Sequence, residues 1–328
     1  LSIDLSELRN KIQVWLRTFL ENKYFSNVKD KPFPELIERK VARHNREIKI
    51  QRKSLEQTDP EKAQHLEVVI KNLGDLINDS RPTFLFGEIG SGKSTLLAHY
   101  FLTEVQAETL PIFLSSTYLK GKIPPDIQGL KSIINQFVNE ELNLENKGFN
   151  LDYLLMTKKE LTLVFDGLDE FDFEESKRLL NHLVNLSNGI ANIRVIASGR
   201  PIELQELVHF DQWNCLTTLD LTENEIKVIL KNEAIATGLA EVEAQKDAKA
   251  RWDILKSKQE LLTNATTPLT VCLIRDFLDE NLSSKTLGDI LYEVLKRRLN
   301  WTKVDQKENF KHFLMTYPHT LQREKIIG

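Results

Sequence analysis

The sequence predicts an α/β fold, a three-layer sandwich in which a parallel β-sheet lies between two layers of helices. From residue 81 onwards short apolar runs alternate with helical stretches, and the runs are apolar throughout rather than at every second residue. Parallel strands have this composition because helices cover both of their faces. The apolar runs are 83–86, 112–115, 161–165 and 193–197, and the helical stretches between them are 95–108, 127–141 and 174–186.

Length, composition and charge exclude several classes of protein. The chain has 328 residues, 41% of them hydrophobic and 28% charged, which is typical of a globular protein of about two domains. Its formal net charge of −4 lacks the positive field that nonspecific nucleic-acid binding needs, although a local basic patch stays open. Cys215 and Cys272 have no second ligand pair nearby, which favours buried or free thiols over a zinc site. Without an apolar run of about 18 residues we expect no membrane segment. The two free thiols favour a reducing compartment, so we expect a cytoplasmic protein.

Residues 1–80 are predicted to form an N-terminal helical and linker region. Apolar residues recur every three or four positions over residues 5–20 and again over 66–76, as in amphipathic helices. Between them, residues 39–53 carry seven Lys or Arg against one Glu. We favour a solvated helix face for this basic stretch, because charge runs usually stay in water, and a nucleic-acid-facing stripe is the alternative.

A glycine-rich loop follows the first predicted strand. Residues 87–94 match the pattern G-x-x-x-x-G-K-[ST], and the loop lies between the strand at 83–86 and a helix that begins near Ser94. Backbone N–H groups can surround a phosphate where side chains stay clear, and the helix directs its positive end at the same anion. We expect Lys93 to reach the phosphate oxygens and Ser94 to ligate Mg²⁺. The predicted nucleotide-binding residues are Gly87, Glu88, Ile89, Gly90, Ser91, Gly92, Lys93, Ser94 and Thr95.

The third predicted strand ends in a carboxylate. Asp166 directly follows the apolar run 161–165, and in nucleotide hydrolases with such a loop an aspartate at a strand tip holds Mg²⁺. Asp169 and Glu170 bring two more carboxylates towards the same ion, and one of them is expected to polarise the attacking water. Acidic residues that only favour a helix N-terminus are the alternative.

The fourth predicted strand leads into small polar residues and a cation. Ligands of open α/β sheets bind beyond the carboxyl ends of the strands, so we expect Ser198 and Arg200 to address the γ-phosphate. Arg200 would then sense which nucleotide is bound. A salt-bridged loop arginine is the alternative interpretation.

The remainder of the chain is predicted to be helical after one more strand at 216–221. A capping box at residues 222–225 opens a helix, and Pro268 lies at or near another helix start. This pattern divides the chain into a core at 81–214, a helical domain at 215–300 and a further segment at 301–328.

Three of these motifs together resemble the NACHT branch of the STAND class, the signal-transduction ATPases with numerous domains. The motifs are residues 87–95, residues 166–170 and residues 198–201. The middle one is the most specific, because NACHT proteins have a small residue after the magnesium-binding aspartate and acidic residues three and four positions on. The resemblance covers about residues 81–300.

The resemblance implies a P-loop NTPase core, bound ATP or ADP with Mg²⁺, and catalytic duties for Asp169, Glu170 and Arg200. It also implies that Pro268, within Thr267-Pro268-Leu269, packs on the adenine side of the nucleotide, and that 301–328 begins a winged-helix domain. Such proteins are closed monomers with ADP and oligomerise with ATP, in response to a trigger such as a pathogen protein sensed by a region further along the chain. The implied role is a switch in NLR-like innate immune or antiphage defence, for which nucleic acid is not required.

Two other functions remain open from the sequence alone. A motor or nucleic-acid-remodelling ATPase is compatible with the loop motif and the basic stretch 39–53. A scaffold that keeps its nucleotide for structural reasons is the non-enzymatic alternative, and the three carboxylates Asp166, Asp169 and Glu170 speak against it.

Overall fold

A computed structural model divides the chain into two compact units, residues 1–219 and residues 220–328. The structure describes residues 5–24, 40–43, 70–73, 81–104, 110–142, 149–156, 160–190, 192–204, 206–209, 211–275 and 278. No helix among these described residues is both long enough and apolar enough to cross a membrane.

Among its described residues, the first unit contains a seven-stranded sheet. Its strands are β1 (Lys40–Arg43), β2 (Ile70–Asn72), β3 (Thr83–Phe86), β4 (Leu110–Ser115), β5 (Leu161–Asp166), β6 (Ile193–Gly199) and β7 (Asn214–Thr218). Their order across the sheet is β2-β1-β7-β3-β6-β5-β4. The five strands from β3 to β7 are parallel, whereas β1 runs antiparallel to both β7 and β2.

Helices cover both faces of this sheet. Neighbouring residues of a strand point to opposite faces, and Phe84, Leu85 and Phe86 of β3 are all fully buried. The helices among the described residues of the unit are α1 (Leu5–Tyr24), α2 (Lys93–Glu104), α3 (Ser116–Leu119), α4 (Ile127–Glu141), α5 (Leu151–Met156), α6 (Phe173–Gly189) and α7 (Pro201–Leu204). Helix α1 packs against α2 and β4, and α4 packs against α6 and β4. The predicted α/β fold with a parallel sheet between helices is therefore confirmed.

The order of the strands brings the ends of distant segments together. After β3 the chain crosses to β4 at the edge, returns through β5 and β6, and places β7 on the other side of β3. Phe86 at the end of β3 lies level with Gly199 of β6 and Thr217 of β7, and Ser115 lies level with Asp166. Because these strands are parallel, the segments that follow them all leave from one edge of the sheet.

The helical interpretation of two segments before residue 81 is wrong. Residues 40–43 and 70–72 are strands, in which Val41 pairs with Thr218 on one side and Lys71 on the other. Val41 and Ala42 are buried in the sheet, so this part of the basic stretch is not a helix face. Residues 40–43 form a strand because they pair with β7, far along the chain. The local spacing of apolar residues gives no information about such a distant partner. Residues 44–53 lie outside the described residues.

A predicted helix near residue 5 and a predicted strand near residue 216 are both present, with different bounds. Helix α1 confirms the amphipathic pattern at 5–20, and its Leu8, Ile12 and Leu16 are buried. The strand expected at 216–221 lies at 214–218 instead, because buried Asn214 donates from Nδ2 to Thr83 Oγ1 at 3.2 Å and so fits the sheet despite its polarity.

The second unit is helical among its described residues. It contains α8 (Glu223–Ala236), α9 (Glu241–Ser257), α10 (Gln259–Asn264) and α11 (Pro268–Arg275), and α8 packs against both α9 and α11. The predicted capping box is present, with the Thr222 and Glu225 side chains each bonded to the other residue's backbone. The expected winged-helix start at 301–328 lies outside the described residues.

Candidate functional site

The carboxyl edge of the sheet in the first unit gathers most of the residues that the sequence singled out. The loop 87–92 leaves β3, the segment 167–170 leaves β5, and Arg200 follows β6. Ser116 begins α3 directly after β4. Pro268 is the exception, because it begins α11 in the second unit.

The glycines of the loop have two different structural duties. Gly90 and Gly92 have φ angles of 71° and 85°, left-handed conformations that other residues adopt only with strain. Gly87 matters for space, since a Cβ on it would collide with Thr218 Oγ1 and lie 2.6 Å from Ser91 Oγ. Its N–H donates to the Gly199 carbonyl at 3.3 Å, which ties the loop to β6. Gly87 therefore makes room for the protein's own side chains.

The Lys93 side chain binds to the backbone of the loop that precedes it. Its Nζ donates to the Gly87 carbonyl at 2.6 Å and to the Glu88 carbonyl at 3.2 Å. Burial lowers the pKa of Lys93 from its usual 10.5, while the negative charges of Asp169 and Asp166 act in the opposite direction. The ammonium thus lies at the mouth of the loop, held by two carbonyls and near two carboxylates.

Asp166 is a buried carboxylate held in place by a neighbouring strand. It is 4% exposed, and Ser198 Oγ of β6 donates to its Oδ1 at 2.5 Å. Ser198 also accepts a hydrogen bond from the Gly167 N–H at 3.3 Å. The hydroxyl that we expected to address the phosphate is therefore engaged with Asp166, and it fixes the orientation of that carboxylate.

Asp169 and Arg200 form an ion pair. Arg200 donates to Asp169 twice, from Nε to Oδ2 at 2.5 Å and from its backbone N–H to Oδ1 at 3.2 Å. The two side chains are only 10% and 22% exposed, so solvent screens the pair weakly. The salt-bridged arginine weighed as an alternative is thus present, and its partner is another predicted site residue.

Glu170 differs from Asp169 in its partner and in its exposure. It is exposed, and the Ser116 hydroxyl donates to its Oε2 at 2.7 Å. Its N–H donates to the Gly167 carbonyl at 3.0 Å, which closes a one-turn 3₁₀ helix that Gly167 enters with a φ of 82°. Glu170 thus accepts from a neutral hydroxyl, whereas Asp169 accepts from a guanidinium.

The remaining residues of the loop surround these groups. Glu88 and Ile89 are exposed at the tip of the loop, and Ser91 is buried beneath it. Ser94 and Thr95 are half-buried in the first turn of α2.

Sequence reasoning missed two residues at this edge, Ser116 and Thr218. Ser115, Ser116 and Thr117 follow an apolar strand directly, the same signal that drew attention to Ser198. The strand predicted at 216–221 runs past Thr218, so the sequence did not mark this residue as a strand end. Its position beside Gly87 is seen only in the structure.

The donors at this edge fit a magnesium nucleotide. A left-handed glycine turn leads into the twelve-residue helix α2, whose free N–H groups favour an anion, and Lys93 supplies a positive charge beside it. Mg²⁺ prefers one or two protein oxygens together with phosphate oxygens and water. Ser94 and Asp166 are the residues that would hold the ion, and Asp166 is already oriented by Ser198.

Comparisons with known proteins give only distant likenesses. No protein-family model matches the chain, and neither does any curated protein. Among solved structures, Drosophila ORC bound to DNA is 17% identical with a TM-score of 0.36, and covers 78% of this chain and 72% of its own. A Walker-type ATPase of Pyrococcus abyssi is 15% identical with a TM-score of 0.42, over 77% and 74%. Cdc6p from Pyrobaculum aerophilum is 14% identical with a TM-score of 0.37, over 78% and 72%.

Proposed function

We propose that this chain is an ATP-binding, slowly hydrolysing switch that controls the oligomerisation of an NLR-like defence sensor of the STAND class. One observation carries the nucleotide part of the proposal: the glycine turn, Lys93 and the oriented Asp166 meet at one edge of a parallel sheet. The motifs at 87–95, 166–170 and 198–201 support the NACHT-type assignment.

Binding uses the loop and the two residues that flank the metal position. Loop N–H groups and the start of α2 hold the phosphates, and Lys93 exchanges the Gly87 and Glu88 carbonyls for phosphate oxygens. Bound Mg²⁺ neutralises charge on the phosphates. Ser94 and Asp166 hold the ion, and Ser198 keeps Asp166 in its orientation.

Hydrolysis requires a group that orients water, and Glu170 has this role in our proposal. Its Oε2 accepts a hydrogen bond from the Ser116 hydroxyl, so Ser116 competes with an attacking water for that oxygen. Asp169 is committed to Arg200 and serves to position that arginine. Both carboxylates already have a hydrogen-bond partner before the nucleotide binds, so neither is fully available to an attacking water. This makes hydrolysis slow in our proposal, and slow hydrolysis suits a switch.

The γ-phosphate acts on the switch through Arg200. A ligand shifts a two-state equilibrium only through its different affinity for the two states, so ATP must contact a group that ADP does not reach. Arg200 meets this requirement because a phosphate competes with Asp169 for the same guanidinium. Loss of the guanidinium contact to Asp169 then changes the segment that leaves β5.

Oligomer size measured by mass photometry tests the switch. We expect larger assemblies with ATP than with ADP, and none with Lys93→Ala under either nucleotide. A trigger molecule such as a pathogen protein would lower the ATP concentration that assembly needs. Assembly that ignores the nucleotide and the Lys93 substitution would remove the switch from this proposal.

A further inference from the structure

We propose that Tyr118 is a positioning residue for Glu170, acting through Ser116. The inference rests on the proposed role of Glu170 in hydrolysis. It adds the residue that keeps the Ser116 hydroxyl against this carboxylate. Ser116 and Tyr118 belong to the same four-residue helix α3, and their side chains bind to different parts of the first unit.

Helix α3 needs external anchors because it is a single turn. Its N-cap residue, Ser115, makes no side-chain hydrogen bond to the helix, and one backbone bond from Lys120 N to Ser116 O at 2.8 Å closes the turn. An isolated turn of this length is unstable in water. Its geometry, and with it the direction of the Ser116 hydroxyl, therefore depends on where its side chains are fixed.

Tyr118 is the polar anchor of this turn. Its hydroxyl donates to Glu140 Oε2 at 3.1 Å, and its ring meets the Phe137 ring edge to face, with the centroids 4.8 Å apart. Lys122 Nζ lies 3.8 Å from the centre of the Tyr118 ring. Burial first, and the bond to Glu140 second, raise the pKa of Tyr118 to about 12, so the phenol stays a donor at neutral pH. Leu119, fully buried, anchors the turn on its apolar side.

The last turn of α4 therefore supports the group that restrains Glu170. Glu140 and Phe137 lie on α4, Tyr118 connects them to α3, and Ser116 two residues earlier donates to Glu170 at 2.7 Å. Trp15 of α1 packs against the same Phe137, with ring centroids 5.6 Å apart. When Tyr118 loses its anchor, α3 loses its register and the Ser116 hydroxyl leaves Glu170.

A double-mutant cycle between Tyr118 and Ser116 tests this coupling. We expect Tyr118→Ala and Ser116→Ala each to raise kcat for ATP by about three- to tenfold, the range of one typical net hydrogen bond, with KM unchanged. The double variant should match Ser116→Ala alone, because the two residues act on Glu170 in series. Additive effects, or a kcat of Tyr118→Ala that is unchanged or lower, would overturn the proposal.

Two further variants separate positioning from stability. Because Glu140 is exposed, Glu140→Ala removes the acceptor of the Tyr118 hydroxyl without replacing a residue of α3, so it should raise kcat in the same direction even if Tyr118→Ala does not fold. Asn139→Ala is the matched control, because Asn139 precedes Glu140 on α4 and instead bonds the backbone of Phe149. It should lower stability without changing kcat, and an increase of kcat equal to that of Glu140→Ala would contradict the proposed path.

Hydrogen exchange gives a readout that needs no turnover. Amides of residues 167–171 should exchange faster in Tyr118→Ala and in Ser116→Ala than in the wild type, and at wild-type rates in Asn139→Ala. If the variants show this pattern but the wild-type protein hydrolyses no ATP, the proposed function is contradicted and the link from Tyr118 to Glu170 is supported. Unchanged exchange at 167–171 alongside measurable hydrolysis would overturn the link and leave the proposed function standing.

Discussion

Arg200 donates two hydrogen bonds to Asp169, one from its side chain and one from its backbone, and both residues leave the same edge of the sheet. The backbone bond fixes Asp169 against the end of β6, while the guanidinium bond can be exchanged for another anion. Gly199 permits this approach, because a Cβ on it would lie 3.3 Å from Asp169 Oδ1 and collide with Leu204 Cδ1. The pair is therefore a clamp with one fixed and one exchangeable contact.

Arg200→Ala should remove the preference for ATP over ADP. In the free protein it leaves the largely buried Asp169 carboxylate without its cation, so we expect a stability loss of about 1–3 kcal/mol in chemical denaturation. In the bound protein it removes the group that we assign to the γ-phosphate. Calorimetric titration with both nucleotides measures the affinity ratio, which should approach one.

Arg178→Ala is the control for the loss of a positive charge, because Arg178 is exposed on α6. It should change neither stability nor the affinity ratio by a measurable amount. An Arg200→Ala protein that still prefers ATP as the wild type does would show that another group reads the γ-phosphate.

The lowered pKa of Lys93 predicts that ATP affinity falls at alkaline pH. A phosphate favours the protonated ammonium, so binding takes up a proton wherever Lys93 is partly deprotonated. The decline should begin below pH 10.5, the usual pKa of lysine, because burial lowers the pKa of Lys93 in the folded protein. Fluorescence titration with a labelled ATP from about pH 7 to about pH 10.5 measures the decline.

Lys93→Arg is the matched variant, since a guanidinium keeps its charge throughout this pH range. Its affinity curve should stay flat where the wild-type curve falls, and parallel curves would assign the decline to another group. Stability of the nucleotide-free protein should move the opposite way. Between the lowered pKa and 10.5 the unfolded chain holds more protons than the folded one, so stability rises with pH in that window.

Sequence alone predicted those parts of the site that depend on local pattern. The loop at 87–94 and Asp166 at the end of an apolar strand follow from spacing and composition. The partners of these residues could not be predicted, because Ser116 and Glu170 are 54 positions apart and Asp169 and Arg200 are 31 apart. The prediction for the segment that forms β1 was wrong for the same reason. Its pairing with β7 depends on residues more than 170 positions away, as in Val41 with Thr218.

Glu170→Gln should spare nucleotide binding and slow phosphate release. The amide keeps the size and the acceptor oxygen that Ser116 contacts, but it cannot take a proton from water. We expect single-turnover hydrolysis to fall by about a hundredfold or more, with ATP affinity within about twofold of the wild type. Equal loss of binding and hydrolysis would mean that Glu170 holds the nucleotide rather than the water.

Ser198→Ala should weaken binding of the magnesium nucleotide more than binding of the metal-free nucleotide. The serine touches neither ligand in our proposal, and acts by orienting Asp166 through a 2.5 Å hydrogen bond. Loss of such an outer partner commonly costs about 10- to 100-fold in metal affinity. Titration of Mg²⁺ at saturating ATP, followed by tryptophan or nucleotide fluorescence, measures this difference.

Ser176→Ala is its matched control, because Ser176 is also buried and donates one hydrogen bond, to the Leu168 carbonyl at 2.9 Å. Both variants should lose similar stability, but only Ser198→Ala should lose magnesium affinity. Equal magnesium affinity in the two variants would mean that Asp166 does not bind the metal.

Gly87→Ala should disturb the loop from within, because the added methyl collides with Thr218 Oγ1 and lies 2.6 Å from Ser91 Oγ. Since Thr218 lies on β7 and Ser91 lies in the loop itself, the strain falls on both sides of Gly87. Adding Thr218→Ala removes one of the two collisions, so the double variant should recover part of the lost stability and ATP affinity. Gly189→Ala is a fair comparison because the added carbon meets no side chain and no other element within 4 Å, and it should be neutral or slightly stabilising since alanine favours a helix. If Thr218→Ala gave no recovery, the loop would have moved away from β7 in solution, and Gly87 would be needed for the phosphate alone.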